Sequence, residues 1–529
     1  MAPRNAKVET GPNQPGITWV LMLYIAADST IANFAVESLK EINNSINARV
    51  CDPDEPEKDQ PKPKANVVVA VQFAIDAPGG QTVPRYIFDK DSKGSIRNSS
   101  APPLVAPPGM TELQALIDFL KWVYSNEKCR NATNYALILW GHGPELLLQP
   151  PPAQDPDNPS APPHANASLY LTPEELRIAL HEGIPTEKGP LDIIGFDTCS
   201  MSMFEAAYEI RRYAKYMVAS QEEVPDLSFP YDKLVGLFRQ LGHNTSKLLE
   251  DGVKAYVGAY QDYIYGAVTG MPPVTLTALN LDYWKPLRDA ICSLACALLS
   301  ARSEPGLPSV LLEARQHTRS FVTGLYVDLY DFCSRLITLL GVVQEAGWMS
   351  PIAAACREVM SAISRNGLVQ QNSSEDARCH GVSLYFPYSS DEENSIISAP
   401  LVKGGPLTGG SKGLDGVFNS TASNLLLCAR HDLICETEGY YAKLQLAQDT
   451  DWYRFIVEVW TSVLISAAPN ALDMIYSAQQ SVINTAGLLN MLKNCTLPPC
   501  SCKIKQAAAN SKVQTPNLKT GRGVSPKKQ

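Results

Sequence analysis

The stretch from Leu191 to Phe204, LDIIGFDTCSMSMF, constrains the fold of this chain more than any other. Leu191, Ile193, Ile194 and Phe196 have the length and branching of a buried parallel strand. Met203, Phe204, Ala207, Tyr208 and Ile210 follow at helical spacing. Cys199 therefore falls between a strand end and a helix start, at the sheet edge where open α/β folds bind their ligands. A helix N-terminus beside it would favour the thiolate over the thiol.

A second run, NYALILWGHGP from Asn134, ends in His142 between two glycines. If the two strands lie side by side, His142 and Cys199 project from one edge, as a nucleophile and its general acid/base require. The flanking glycines let backbone approach a substrate closely.

The remaining chain supports a sheet of this kind. ITWVLMLYIAAD (17–28) reads as a central strand, with Asp28 and Ser29 as caps of a helix over about 31–46. CDPDEPEKDQPKPK (51–64) is too rich in proline and charge to pack. NVVVAVQFAID (66–76) is the next strand, and TVPRYIFD (82–89) reads as an edge hairpin segment. A helix over about 111–125 follows. This alternation implies a mostly parallel sheet flanked by helices, an α/β fold. Beyond His142, the loop 143–169 holds a proline-rich tract, and a helix over about 172–181 precedes the Cys199 strand. Strands are expected at 216–220 and 273–281, with helices over about 231–262 between them. The pattern is mainly helical over 283–366, a last strand is GVSLYFP (381–387), and 451–464 reads as an amphipathic helix.

At 529 residues with 45% hydrophobic content, the chain is long enough for roughly two to four domains. The divisions expected are a flexible arm (1–14), a catalytic α/β domain (15–280), a mainly helical region returning one strand near 381–387 (281–466), a helical extension (467–502) and a disordered basic tail (503–529). That tail has seven basic residues and no acidic one. A net charge of −9 and no basic stripe elsewhere argue against a nucleic-acid partner. No apolar segment reaches the length of a membrane span. Without a secretory signal, thirteen scattered cysteines fit a reducing compartment better than a disulfide framework, so a cytoplasmic location is expected. Cys495, Cys500 and Cys502 match no zinc spacing, Cys379-His380 reads as packing plus a surface imidazole, and no nucleotide-binding motif is present. No metal or cofactor is expected from these residues.

Taken in order, WVLMLYIAAD, YALILWGHG, LDIIGFDTCSMSMFEAAYEI, YMVASQEEVP and GVSLYFP resemble the clostripain-type cysteine peptidases, relatives of the caspases, across roughly Ile17 to Leu464. Family members usually read Trp-Asp-His-Gly where this chain has Trp140-Gly141-His142-Gly143. They often read Ser-Glu-Glu where it has Ser220-Gln221-Glu222. The resemblance implies a caspase-like fold and a cysteine endopeptidase that cleaves protein or peptide substrates after Arg or Lys. It makes Cys199 the nucleophile, His142 the catalytic histidine, and the backbone N–H groups of Gly143 and Cys199 the oxyanion hole. Asp197 matches the family's acidic substrate-binding position, with Asp226 as a second wall. Clostripain uses calcium, but this chain has no Asp-rich loop of EF-hand type. The rival expectation is a catalytically silent caspase-like fold used for binding. Family members are often matured by cleavage between the His and Cys strands. Here no Lys or Arg occurs from Gly143 to Leu176, Arg177 falls in a helix, and Lys188 is the remaining basic residue before Cys199.

Overall fold

The structure is a computed structural model. It describes residues 18–27, 31–46, 48, 63–75, 82–92, 96–105, 111–141, 171–261, 274–321, 324–342, 347–364, 367–374, 376–388 and 441–467. Expectations for the N-terminal arm, the 51–62 loop, the 143–169 loop, the 468–502 extension and the basic tail lie outside these residues, as do Asp28, His142 and Gly143.

Among the described residues, nine strands form the main sheet. Five of them are parallel: β1 (Thr18–Ala27), β2 (Asn66–Ile75), β5 (Asn134–Trp140), β6 (Leu191–Asp197) and β7 (Ala214–Ala219), side by side as β2-β1-β5-β6-β7. These are the branched apolar runs of the sequence, and β1 and β6 are buried over almost their whole length. Antiparallel strands extend both edges. On one side stand β3 (Thr82–Phe88) and then β4 (Ser100–Val105). On the other stand β8 (Thr275–Asn280) and then β11 (Val369–Ser374).

The two outermost strands were not expected. β4 is SAPPLV, whose prolines cannot donate to a ladder and are tolerated at an edge. β11 is VQQNSS, mostly half-buried and without an apolar run. The expected strand at 381–387 also departs from expectation: β12 (Ser383–Tyr385) lies in a separate three-stranded sheet with β10 (Tyr326–Asp328) and β9 (Ser320–Phe321). β9 and β10 interrupt what reads in sequence as a helical region, because two- and three-residue strands leave no periodic signature.

Helices cover both faces of the main sheet. On one face α1 (Ala32–Ser45), α5 (Tyr231–Leu241) and α6 (Thr245–Gln261) enclose a core with Trp19, Leu21, Ile138 and Ile193. On the other, α2 (Glu112–Ser125), α3 (Pro173–Gly183) and α4 (Phe204–Ile210) cover Val20, Leu137 and Ile194. α2 and α3 each open with a capping box, Thr111 with Gln114 and Thr172 with Glu175. This second core continues without a break through the helices Trp284–Ser300, Leu307–His317, Leu329–Val342 and Met349–Ile363 to Leu464. The segment expected as an amphipathic helix at 451–464 runs from Trp452 to Ala467 through a π turn at Ile456–Trp460, and it is buried nearly all round. Among the described residues, Cys129, Cys199, Cys296, Cys333, Cys356 and Cys379 are free.

Candidate active site

β5 and β6 are neighbours, and their last residues, Trp140 and Asp197, are register partners. The Gly141 N–H donates to the Asp197 carbonyl at 3.3 Å, extending the pairing one residue past the strand. Within the same ladder, a Cβ on Gly195 would lie 3.3 Å from Cγ1 of its register partner Ile138, tighter than ordinary contact. Cys199 stands two residues beyond this pair, in the turn after β6. His142 is two residues beyond Trp140 in sequence and lies outside the described residues, as does Gly143.

The turn around Cys199 differs from the expected helix start. α4 begins only at Phe204, with Met203 as its N-cap, so four residues, Ser200 to Met203, separate the thiol from the helix. Between them Ser200 has φ 55°, in the left-handed region a serine rarely adopts. Segment 220–224, which leaves β7, holds this conformation. The Glu222 carbonyl accepts the Ser200 N–H at 2.9 Å, and the Ser220 carbonyl accepts the Ser202 N–H at 2.8 Å. The Val224 N–H donates to Cys199 Sγ at 3.3 Å, and the Val224 carbonyl lies 3.8 Å from the same sulfur.

Cys199 is half-buried, and the loss of water at the sulfur sets the thiol's resting state. It pushes the Cys199 pKa up to about 11, against the Val224 N–H, which favours the thiolate; Glu223, Asp197 and Asp226 add repulsion. Glu223 and Asp226 are exposed, on the segment that carries Val224.

Asp197 is 3% exposed. Its Oδ2 accepts from the Ser228 hydroxyl, from the Phe229 N–H at 3.1 Å and from the Tyr231 hydroxyl at 2.8 Å. Trp140 Nε1 donates to the same Ser228 hydroxyl, which ties the two strand ends together. Burial drives the Asp197 carboxyl up to about 7, and the three donors oppose the rise. Its Oδ1 is buried and has no hydrogen-bond partner among the described residues, and the neighbouring Thr198 Oγ1 is in the same condition. An acceptor left this way is costly unless a partner arrives.

The second sheet closes the site from behind. Ser202 donates its hydroxyl to the Gly381 carbonyl at 2.7 Å, and the Ser383 N–H donates to the Ser202 carbonyl at 2.8 Å. Gln221 accepts from the Gly381 N–H at 2.8 Å and donates to Asp328 Oδ2 at 3.1 Å and the Ser383 hydroxyl at 3.2 Å. Gly381 has φ 94°, and a Cβ there would meet Thr277 at 2.6 Å, so a side chain is excluded. Asp328 also accepts from the His380 N–H at 2.6 Å, and its Oδ1 lies 3.0 Å from His380 Nδ1. Cys379-His380 is thus attached to the back of the site, a role its sequence did not disclose. Gln221, Asp328 and Gly381 were missed for the same reason: each acts on a residue far away in the chain.

The sequence matches the model of the clostripain family, peptidase C11, over residues 23–345. Among solved structures, the chain is 17% identical to a secreted C11 cysteine protease from Bacteroides thetaiotaomicron in complex with an irreversible peptide inhibitor. The match covers 70% of this chain and 93% of that one with a TM-score of 0.46. It is 15% identical to an inactive zymogen C11 protease from Parabacteroides distasonis, covering 72% and 96% with a TM-score of 0.45. No curated protein matches the sequence.

Proposed function

The chain belongs to the clostripain family of cysteine peptidases, and from that premise we propose that it is an endopeptidase cleaving after Arg or Lys through Cys199 and His142. The observation that carries this reading is the β5–β6 register, which sets Trp140 beside Asp197. His142 and Cys199 each follow that pair by two residues.

In this reaction His142 takes the Cys199 proton as the sulfur attacks the peptide carbonyl carbon, and the oxyanion is held by the backbone N–H groups of Gly143 and Cys199. His142 gives a proton to the leaving amine and then takes one from the water that hydrolyses the thioester. The preference for a basic side chain draws on two acids. Asp226 is exposed on the segment beside the thiol, and the unpartnered Asp197 Oδ1 would receive a guanidinium or ammonium donor.

A second reading, a caspase-like fold used only for binding, draws on the covered thiol with its pKa pushed up to about 11. The retained Cys199 and His142 count against it. Peptide hydrolysis by the full-length protein, beside Cys199→Ala and His142→Ala, separates the two. Each substitution is expected to lower turnover by about 10⁴-fold with the unfolding midpoint unchanged. Equal turnover in the parent and Cys199→Ala would remove the peptidase assignment.

A further inference from the structure

Among the described residues, the contacts that shape the Cys199 turn from the β7 side come from segment 220–224, so whatever fixes this segment fixes the nucleophile. Ser220 and Glu222 hold the turn by their carbonyls and Val224 touches the sulfur. Two side chains on the segment reach beyond the main sheet: Gln221 meets Gly381, Asp328 and Ser383, and the buried Glu222 carboxylate makes an ion pair with Arg319.

Arg319 is itself held rigidly. It directly precedes β9, its N–H donates to Asp331 Oδ2 at 2.8 Å, and its carbonyl accepts the Asp328 N–H at 2.9 Å. Its guanidinium reaches in three directions. Nη2 takes Glu222, Nη1 donates to the Ser320 carbonyl at 2.8 Å, and Nε lies 3.0 Å from Asp376 Oδ2 without hydrogen-bond alignment. The Phe321 ring lies 5.0 Å below it. A largely buried ion pair adds little net stability over apolar packing, but removing one partner strands the other charge. Such a pair sitting two residues from the Val224 contacts on Cys199 is better suited to holding geometry.

We propose that Arg319 is a positioning residue for Cys199: through Glu222 it seats segment 220–224 against the thiol, covering the sulfur at rest and holding it in one orientation for attack. This deepens the peptidase reading and rests on it for the catalytic half. A planar fork with three contacts cannot be replaced by a single ammonium, so Arg319→Lys keeps the charge and loses the geometry.

The test uses the full-length protein with Arg319→Lys and Arg319→Met. Hydrolysis of an Arg peptide is measured beside alkylation by iodoacetamide, followed at each cysteine by peptide mass. In Arg319→Met, kcat is expected to fall about a hundredfold with KM little changed. Cys199 alkylation rises several-fold, because the sulfur is uncovered. Arg319→Lys falls between the parent and Arg319→Met on both measures, and the buried Cys129 and Cys333 stay unmodified in all three. Opposite movement of the two rates is the signature that a merely stabilising ion pair would not give. The proposal is overturned if both rates stay at parent values, if both fall together, or if Cys129 and Cys333 become reactive in step with Cys199. If the parent hydrolyses no peptide, the peptidase reading fails, while the alkylation arm still decides whether Arg319 covers the thiol.

Discussion

Tyr231, the first residue of α5, donates its hydroxyl hydrogen to Asp197 Oδ2 at 2.8 Å, joining the helix that follows the Asp226 segment to the residue two before the nucleophile. The acid that sequence assigns to substrate is therefore also an internal fastener, and its two oxygens have different occupations. Oδ2 is filled by three protein donors, and Oδ1 has none.

Substitution separates these occupations. Asp197→Asn keeps an acceptor for Ser228, Phe229 and Tyr231 but removes the charge. It is expected to lower kcat/KM for Arg peptides by about 10–100-fold while changing neutral peptides little. Asp226 is exposed, where solvent screens a charge, so Asp226→Asn costs about tenfold or less. Equal losses on Arg and neutral peptides in a side-by-side assay would identify the carboxylate as structural.

Asp197 also makes stability depend on pH. Its folded pKa is raised to about 7 by burial, above the roughly 3.9 of an unfolded aspartate. The folded state therefore holds the proton more tightly. The resulting stabilisation is fully present below about pH 4 and is lost as pH rises through about 7. Relative to Asp197→Asn, the parent's unfolding midpoint should fall between about pH 4 and 7 and level off above that. Glu205, also raised to about 7 by burial, acts equally in both proteins and cancels in the difference. Parallel midpoint curves would show that the carboxyl does not titrate in this window.

Gln221 replaces the glutamate common in the family, and its setting explains why a neutral amide is needed here. Its Nε2 donates to Asp328 Oδ2 at 3.1 Å, and Asp328 is fully buried. Gln221→Glu would lose that donor and face one carboxylate with another. Denaturant unfolding should register a loss of about 3 kcal/mol or more at pH 8, shrinking as acid protonates the pair. A change within about 0.5 kcal/mol would mean that the site relaxes around the new charge.

Both basic residues between the His and Cys strands sit in folded structure. Arg177 lies within α3, with Nε 3.1 Å from Glu209 Oε2. Lys188 ends a single helical turn, Thr186–Lys188, donates its ammonium to the Arg130 carbonyl and lies 5.6 Å from the Tyr135 ring centre. Neither presents the extended backbone a protease cleft binds. Intact-mass measurement of the active protein beside Cys199→Ala should find no self-dependent cut after either residue. A cut within 143–176, where no Lys or Arg occurs, would show instead that the specificity is not basic.

The parallel heart of the fold and the place of Cys199 were legible because their signals are local. A branched apolar run must be buried on both faces, and the polar residues at its end mark where the chain leaves the sheet, so Leu191–Asp197 and Asn134–Trp140 announce both strand and tip. The edge strands carried no such signal. β4 and β11 need no apolar face to pair, and β9, at two residues, is too short for periodicity.

The state of the thiol was decided elsewhere. A cysteine between strand and helix reads as activated, yet Val224, packed 25 residues further on, covers it, and burial outweighs the donated N–H. Glu222 depends on Arg319 across 97 residues and Gln221 on Asp328 across 107. Local composition states which residues must leave water, and hence where strands run and stop. Which charge or donor meets a buried polar atom depends on which distant segments the packed core brings to the same sheet edge, and that choice exists only in the folded chain.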